Sequence, residues 1–142
     1  MAKQLSIFAE NKPGSLEKIT SILSGKNINL RALTIASSEG FGIFKVLVDN
    51  PVEAFDALNK NNIPVQIKDI VAIYIDDKPG GLHKAIRAIS KHNINIIDSY
   101  GFVVESGKKA IFVFELDKPQ EAIKNLKKEK IRILTDSELY SL

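Results

Sequence analysis

The sequence predicts an α+β fold made of one β-α-β-β-α-β unit written twice, and three observations predict it. The stretch Glu10–Leu16 (E-N-K-P-G-S-L) returns sixty-six positions later as Asp76–Leu82 (D-D-K-P-G-G-L). Asn27-Ile28-Asn29 returns at the same shift as Asn93-Ile94-Asn95. Beyond that point the shift becomes 68, and Asp49, Pro51, Glu53, Ala54 and Leu58 fall on Asp117, Pro119, Glu121, Ala122 and Leu126. Two extra residues near Ser106–Lys109 account for the change. Insertions collect at loop tips, so a turn is expected there. The copies are units of roughly seventy residues, spanning 1–68 and 69–142, with the join near Lys68–Asp69.

Each element has its own signal. Gln4–Phe8 alternates Leu5 and Ile7 with Gln4 and Ser6, the pattern of a half-buried strand. Pro13 and Gly14 interrupt it. Leu16, Ile19, Ile22 and Leu23 then follow helical spacing until Gly25 stops them. Asn29–Ala36 and Gly42–Val48 are rich in apolar and β-branched residues, and Ser37-Ser38-Glu39-Gly40 between them signals a hairpin. Asp49 or Asn50 can cap a second helix that has Pro51 in its first turn and Val52, Phe55 and Leu58 on its inner face. Val65–Ile67 completes the unit. The second copy repeats these elements at Ile70–Ile75, Gly81–Lys91, Asn95–Val104, Ala110–Leu116, Pro119–Lys127 and Ile131–Leu134. Two helices on one face of a four-stranded antiparallel sheet form the ferredoxin-like arrangement. The short join leaves little linker, so the two sheets are expected to lie side by side.

Composition narrows the function. The chain has 142 residues, 44% of them hydrophobic, enough for packed cores. The net charge is +3 and the lysines are dispersed, as on a solvated surface rather than a nucleic-acid face. With no cysteine, disulfides, thiolate catalysis and cysteine-ligated zinc are excluded. His83 and His92 are the only histidines, and no H-E-x-x-H spacing occurs. No apolar signal region or membrane-length apolar run is present, so the expected setting is the cytoplasm, away from membranes.

The repeated loop is the candidate site. It joins a first strand to a first helix, whose leading N–H groups have no partner within the helix and whose dipole is positive at that end. Gly14 and Gly80 allow close approach to the backbone, so a carboxylate can be held by main-chain N–H groups. Asn11 and Asp77, just ahead of Pro-Gly, offer oxygens to an ammonium. Asn29 and Asn95 open the second strand; if they meet the loop, the polar pattern is that of a free amino acid. Asn-x-Pro-Gly is also an ordinary turn, which leaves a purely structural role open.

Asn11-Lys-Pro-Gly-Ser-Leu followed by Asn27-Ile-Asn-Leu, and Asp77-Lys-Pro-Gly-Gly-Leu followed by Asn93-Ile-Asn-Ile, resemble the signature of the ACT domain. The resemblance covers nearly the whole chain as two tandem copies. It implies βαββαβ regulatory modules that bind amino acids at the seam between paired modules, with no cofactor. By that resemblance Asn11, Pro13, Gly14, Ser15, Leu16 and Asn29 would line one site, and Asp77, Pro79, Gly80, Gly81, Leu82 and Asn95 its counterpart. It further implies a free-standing regulator, a homodimer, acting on a separate protein such as an enzyme of amino-acid metabolism. The chain departs from the pattern at Ala9 and Ile75, where some members carry His, and at Asp77 and Gly81, which replace Asn11 and Ser15. The two sites therefore need not be equivalent.

Two other classes were weighed. Gly40-Phe41-Gly42-Ile43-Phe44 parallels the glycine-aromatic signature of a single-stranded RNA-recognition motif. Base stacking needs aromatics on the open sheet face, yet Ile43 and Val46 stand at two of those positions, and Glu39 replaces the leading basic residue. A small α+β enzyme lacks a constellation: Asp76 and Asp77 point to opposite faces of a strand, Ser37-Ser38 has no base nearby, and His83 and His92 suit exposed helix ends.

Overall fold

The computed structural model describes residues 1–142, and the chain divides into two compact units. The first comprises Lys3–Lys68 with Tyr140–Leu142, the second Asp69–Leu139 with Met1–Ala2.

The first unit contains β1 (Ala2–Glu10), α1 (Ser15–Gly25), β2 (Leu30–Ser38), β3 (Phe41–Val48), α2 (Pro51–Lys60) and the opening of β4 (Val65–Asp76). Its strands lie in the order β2-β3-β1-β4. β3 pairs antiparallel with both β1 and β2, so Leu5 faces Val46 and Ile7 faces Phe44 on one side of the sheet. Those residues pack against Ile19 and Leu23 of α1 and Ala54 and Leu58 of α2, which places both helices on that face. The hairpin turns at Glu39 and Gly40, which both take positive φ (51° and 82°); two successive left-handed residues match the twist of a two-residue hairpin. Asn50 caps α2 by accepting from the Glu53 N–H at 3.2 Å. That cap turns Pro51, Ala54 and Leu58 inward and leaves Val52, expected inside, 63% exposed.

The second unit follows the same plan with α3 (Gly81–Ile89), β5 (Ile96–Glu105), β6 (Lys109–Leu116) and α4 (Pro119–Lys128). β6 pairs antiparallel with β4 and β5. Val71, Ile73, Phe114 and Leu116 pack against Ala85, Ala88 and Ile89 of α3 and Ala122 and Leu126 of α4. Equivalent hydrogen bonds recur in the two copies: Phe8 N–H to Pro64 O (2.9 Å) becomes Tyr74 N–H to Arg132 O (3.0 Å). The expected turn at the insertion occupies Ser106–Lys108.

Three expectations about elements change. Val65–Ile67 and Ile70–Ile75 form one continuous strand, because Lys68-Asp69 contains neither Gly nor Pro to break it. Ile131–Leu134 is extended but makes only an isolated bridge, Ile73 to Ile133. A short helix, α5 (Asp136–Tyr140), ends the chain. Its start is a reciprocal cap: the Thr135 N–H donates to Glu138 and the Glu138 N–H donates to the Thr135 hydroxyl, each at 3.2 Å. The T-D-S-E spelling of that cap was present in the sequence. Beyond it, the Tyr140 hydroxyl accepts from the Lys3 N–H (2.8 Å) and the Tyr140 carbonyl accepts from Arg31 (3.2 Å), which ties the last residues to the first unit.

The Thr135 N–H, with help from the Thr135 hydroxyl and Arg132, holds the Glu138 carboxyl below its usual 4.5. A lowered folded value means the contribution is present above 4.5 and is lost as pH falls through the folded value. Amide hydrogen exchange at Leu139 and Tyr140 should therefore accelerate on acidification below 4.5, relative to the Phe44 and Phe114 amides. Glu138→Gln should remove that pH dependence.

Candidate functional site

Both Pro-Gly loops adopt the same closed turn. Asn11 N–H donates to Gly40 O at 2.7 Å, and Asp77 N–H to Lys108 O at 3.2 Å, which pins each loop to its hairpin. Ser15 N–H then donates to Lys12 O (3.1 Å) and Gly81 N–H to Lys78 O (3.0 Å). Gly14 and Gly80 sit at the N-caps of α1 and α3 with φ of 92° and 86°. That left-handed backbone is what reverses the chain from strand to helix, and it costs an L-residue about 1–2 kcal/mol. Neither helix has a side-chain cap. Past Ser15 and Gly81, whose N–H groups close the turns, the next first-turn N–H groups remain available to an anion.

The two loops differ in detail. In the second, a Cβ on Gly81 would stand 2.1 Å from Asp76 O, so only glycine fits where the first loop carries Ser15. The Asp77 carboxylate accepts from the Gly107 N–H at 2.7 Å. The two-residue insertion supplies that donor, so one Asp77 oxygen braces a hairpin instead of facing a ligand. Leu16 and Leu82 are both half-buried, and Leu82 packs against the second core. Pro13 and Pro79 are exposed.

Asn29 and Asn95 do not reach the loop of their own unit. Asn29 N–H donates to the Asp49 carboxylate (3.1 Å) while Asp49 N–H donates to Asn29 O (3.2 Å). Asn95 and Asp117 repeat the exchange at 2.8 and 3.2 Å. This pairing sits at the α2 or α4 start, at the far end of the sheet from the loop. The nine-residue β2 separates the two ends, a span of roughly 30 Å. The Asn29 side chain is exposed and lines a separate hollow of about 470 Å³ with Thr20, Ser24 and Asn27.

A cavity opens beside each loop, between the helix start and the segment after the unit's second helix. The first, about 280 Å³, is lined by Phe8, Lys12, Ser15, Lys18, Asn62 and Pro64 among others. The second, about 260 Å³, holds Tyr74, Asp76, Gly81, Lys84, Lys130 and Arg132, which match Phe8, Glu10, Ser15, Lys18, Asn62 and Pro64. Ser15 and Gly81 are the singled-out residues that line them. Residues 62–64 and 130–132 were missed, although the repeat already placed them in register. Beside the second cavity, Lys91 donates to Glu129 at 2.6 Å, and that hydrogen bond holds the Glu129 carboxyl below its usual range. Phe44 is fully buried in the first core, which leaves Phe41, 68% exposed, as the exposed aromatic of β3. No group of three or more His, Cys, Asp or Glu residues could hold a metal, and no helix is long and apolar enough to cross a membrane.

A βαββαβ unit written twice, with an uncapped helix start behind a left-handed glycine in each copy, defines a tandem ferredoxin-like pair. The family model for an ACT domain pair matches residues 1–142, and the chain belongs to the ACT domain family. Among solved structures it is similar to protein BT0572 from Bacteroides thetaiotaomicron, at 39% identity and a TM-score of 0.92 over 99% of this chain and 96% of that one. The regulatory subunit of aspartate kinase from Thermus thermophilus shares the fold at 16% identity and a TM-score of 0.66, over 89% and 91% of the two chains. The corresponding Thermus flavus subunit matches at 16% and 0.60, over 89% and 90%. No curated protein matches.

The Gly81 geometry predicts unequal tolerance in the two loops. Gly81→Ala should cost about 1–3 kcal/mol in a urea melt, because the Asp76 backbone must move. Ser15→Ala should stay within about 0.5 kcal/mol.

Proposed function

We propose that this chain is a non-catalytic, cytoplasmic regulatory protein that binds a free amino acid at its Pro-Gly loops and passes the bound state to a separate protein, an enzyme of amino-acid metabolism being the class of target. The observation that carries this reading is the repetition of an uncapped, glycine-turned helix start at both loops. The N–H groups there suit the ligand carboxylate, and the Asn11 and Asp77 oxygens suit its ammonium. Because Asn29 and Asn95 lie a strand's length from their own loops, they would complete a site only from another unit, of the same chain or of a second copy. Homodimerisation is also part of the proposal. The edge strands support it: Leu33 and Ile35 on β2, and Ile97, Val103 and Val104 on β5, are exposed apolar residues. Unpaired apolar edges invite association.

Calorimetric titration with the twenty amino acids tests the reading. At least one should bind more tightly than millimolar and raise the melting temperature by mass action. Asn29→Ala and Asn95→Ala should each weaken binding by about 1–2 kcal/mol. Their side chains are exposed and their main chains remain tied to Asp49 and Asp117, so the melting temperature without ligand should hold. No binder in the panel, or a binder indifferent to both substitutions, would leave the loops as turns.

Light scattering at tens of micromolar should report at least twice the 15.7 kDa chain mass. A species at the single-chain mass would overturn the homodimer.

A further inference from the structure

The two cavities beside the Pro-Gly loops are equivalent by position and opposite in character. At matching positions, Phe8, Gly40, Phe41, Asn62 and Pro64 of the first unit become Tyr74, Lys108, Lys109, Lys130 and Arg132 in the second. Four neutral residues have thus become cations, and Lys84 adds a fifth that matches Lys18. Asp76 is the lone carboxylate of the lining. In the first cavity Glu10 pairs with Lys12 at 3.1 Å, which leaves Lys18 as its one uncompensated charge.

We propose that the second unit's cavity is a binding site for a small phosphate-bearing anion, one that the first unit does not share. Lys109 Nζ lies 4.4 Å and the Arg132 guanidinium carbon 4.6 Å from the centre of the Tyr74 ring, so one aromatic of the lining holds two cations. Like charges gathered around one cavity repel, and an anion within it relieves the repulsion. Lys108 and Arg132 are partly compensated by Glu105 and Glu138, and Lys84 by the more distant charge of Glu129, but Lys130 is held by no ion pair.

Lys130 adds a second argument. Its φ is +56°, a left-handed conformation that disfavours lysine. The first unit places Asn62 there at +58°, and asparagine tolerates that backbone. The second unit therefore carries a locally unfavourable residue where its charge enters the cavity. The α3 start, with Gly81 in the lining, brings the positive end of a helix to the same space. Because the Tyr74 ring is already occupied by cations, the site suits a phosphoryl group rather than a stacked base.

The probe is inorganic pyrophosphate, titrated by calorimetry against the full chain at constant ionic strength with no amino acid present, so the result stands apart from amino-acid binding. Pyrophosphate should bind more tightly than millimolar. Lys130→Asn, which restores the first unit's residue and its tolerated backbone, should weaken it roughly tenfold, as should Lys84→Met. Lys26→Met, an equal change of net charge on an exposed lysine of the other unit that is not in the cavity lining, should leave it unchanged. The proposal is overturned if pyrophosphate binds no better than sulfate, or if Lys26→Met weakens binding as much as the cavity variants. Tight binding of a single-stranded oligonucleotide without pyrophosphate binding would also overturn it, assigning the charge to a nucleic-acid backbone.

Discussion

The reversal at Gly14 and Gly80 is the constraint on which each unit depends. A residue with φ near +90° turns the chain from the first strand directly into the first helix. The helix can then lay Ile19 and Leu23, or Ala85, Ala88 and Ile89, across the sheet residues beneath it. The same glycine removes the side chain that would normally cap the helix. Folding and ligand access thus share one structural cause: the geometry that builds the core leaves first-turn N–H groups uncapped.

Around that constraint the two copies have diverged where the shared plan leaves room. The second loop sits against the Asp76 carbonyl closely enough to demand Gly81, and its Asp77 is drawn into bracing the inserted turn through Gly107. The first loop has neither feature. Its Ser15 is tolerated and no hydrogen bond ties the Asn11 side chain to the hairpin. The cavities follow the same division, neutral and partly aromatic in one unit, cationic in the other. Duplication preserves the backbone exchanges at Asn29–Asp49 and Asn95–Asp117, which serve the fold. It leaves free to vary the side chains that line the two cavities.

Much of this was legible in the residues alone. Hydrophobic periodicity, Pro-Gly punctuation and the double shift of 66 and 68 located ten of the strands and helices, because each reports a local preference of the chain. The T-D-S-E cap of α5 was equally local but sat past the last repeated element. The outward turn of Val52 was less accessible: its helical spacing fitted an inner face, and the Asn50 cap set the rotation that exposed it.

What the sequence by itself determined is the plan of the unit, its duplication and the chemistry of the two loops. Tertiary structure decided which of the singled-out residues share a place. It set Asn29 and Asn95 at the far end of the sheet from their own loops, since a nine-residue strand intervenes. It brought residues 62–64 and 130–132 beside the helix starts and committed one Asp77 oxygen to Gly107. These are contacts between segments distant along the chain. Periodicity and spacing report only what neighbours prefer, so such contacts exist only once the sheet has set its register.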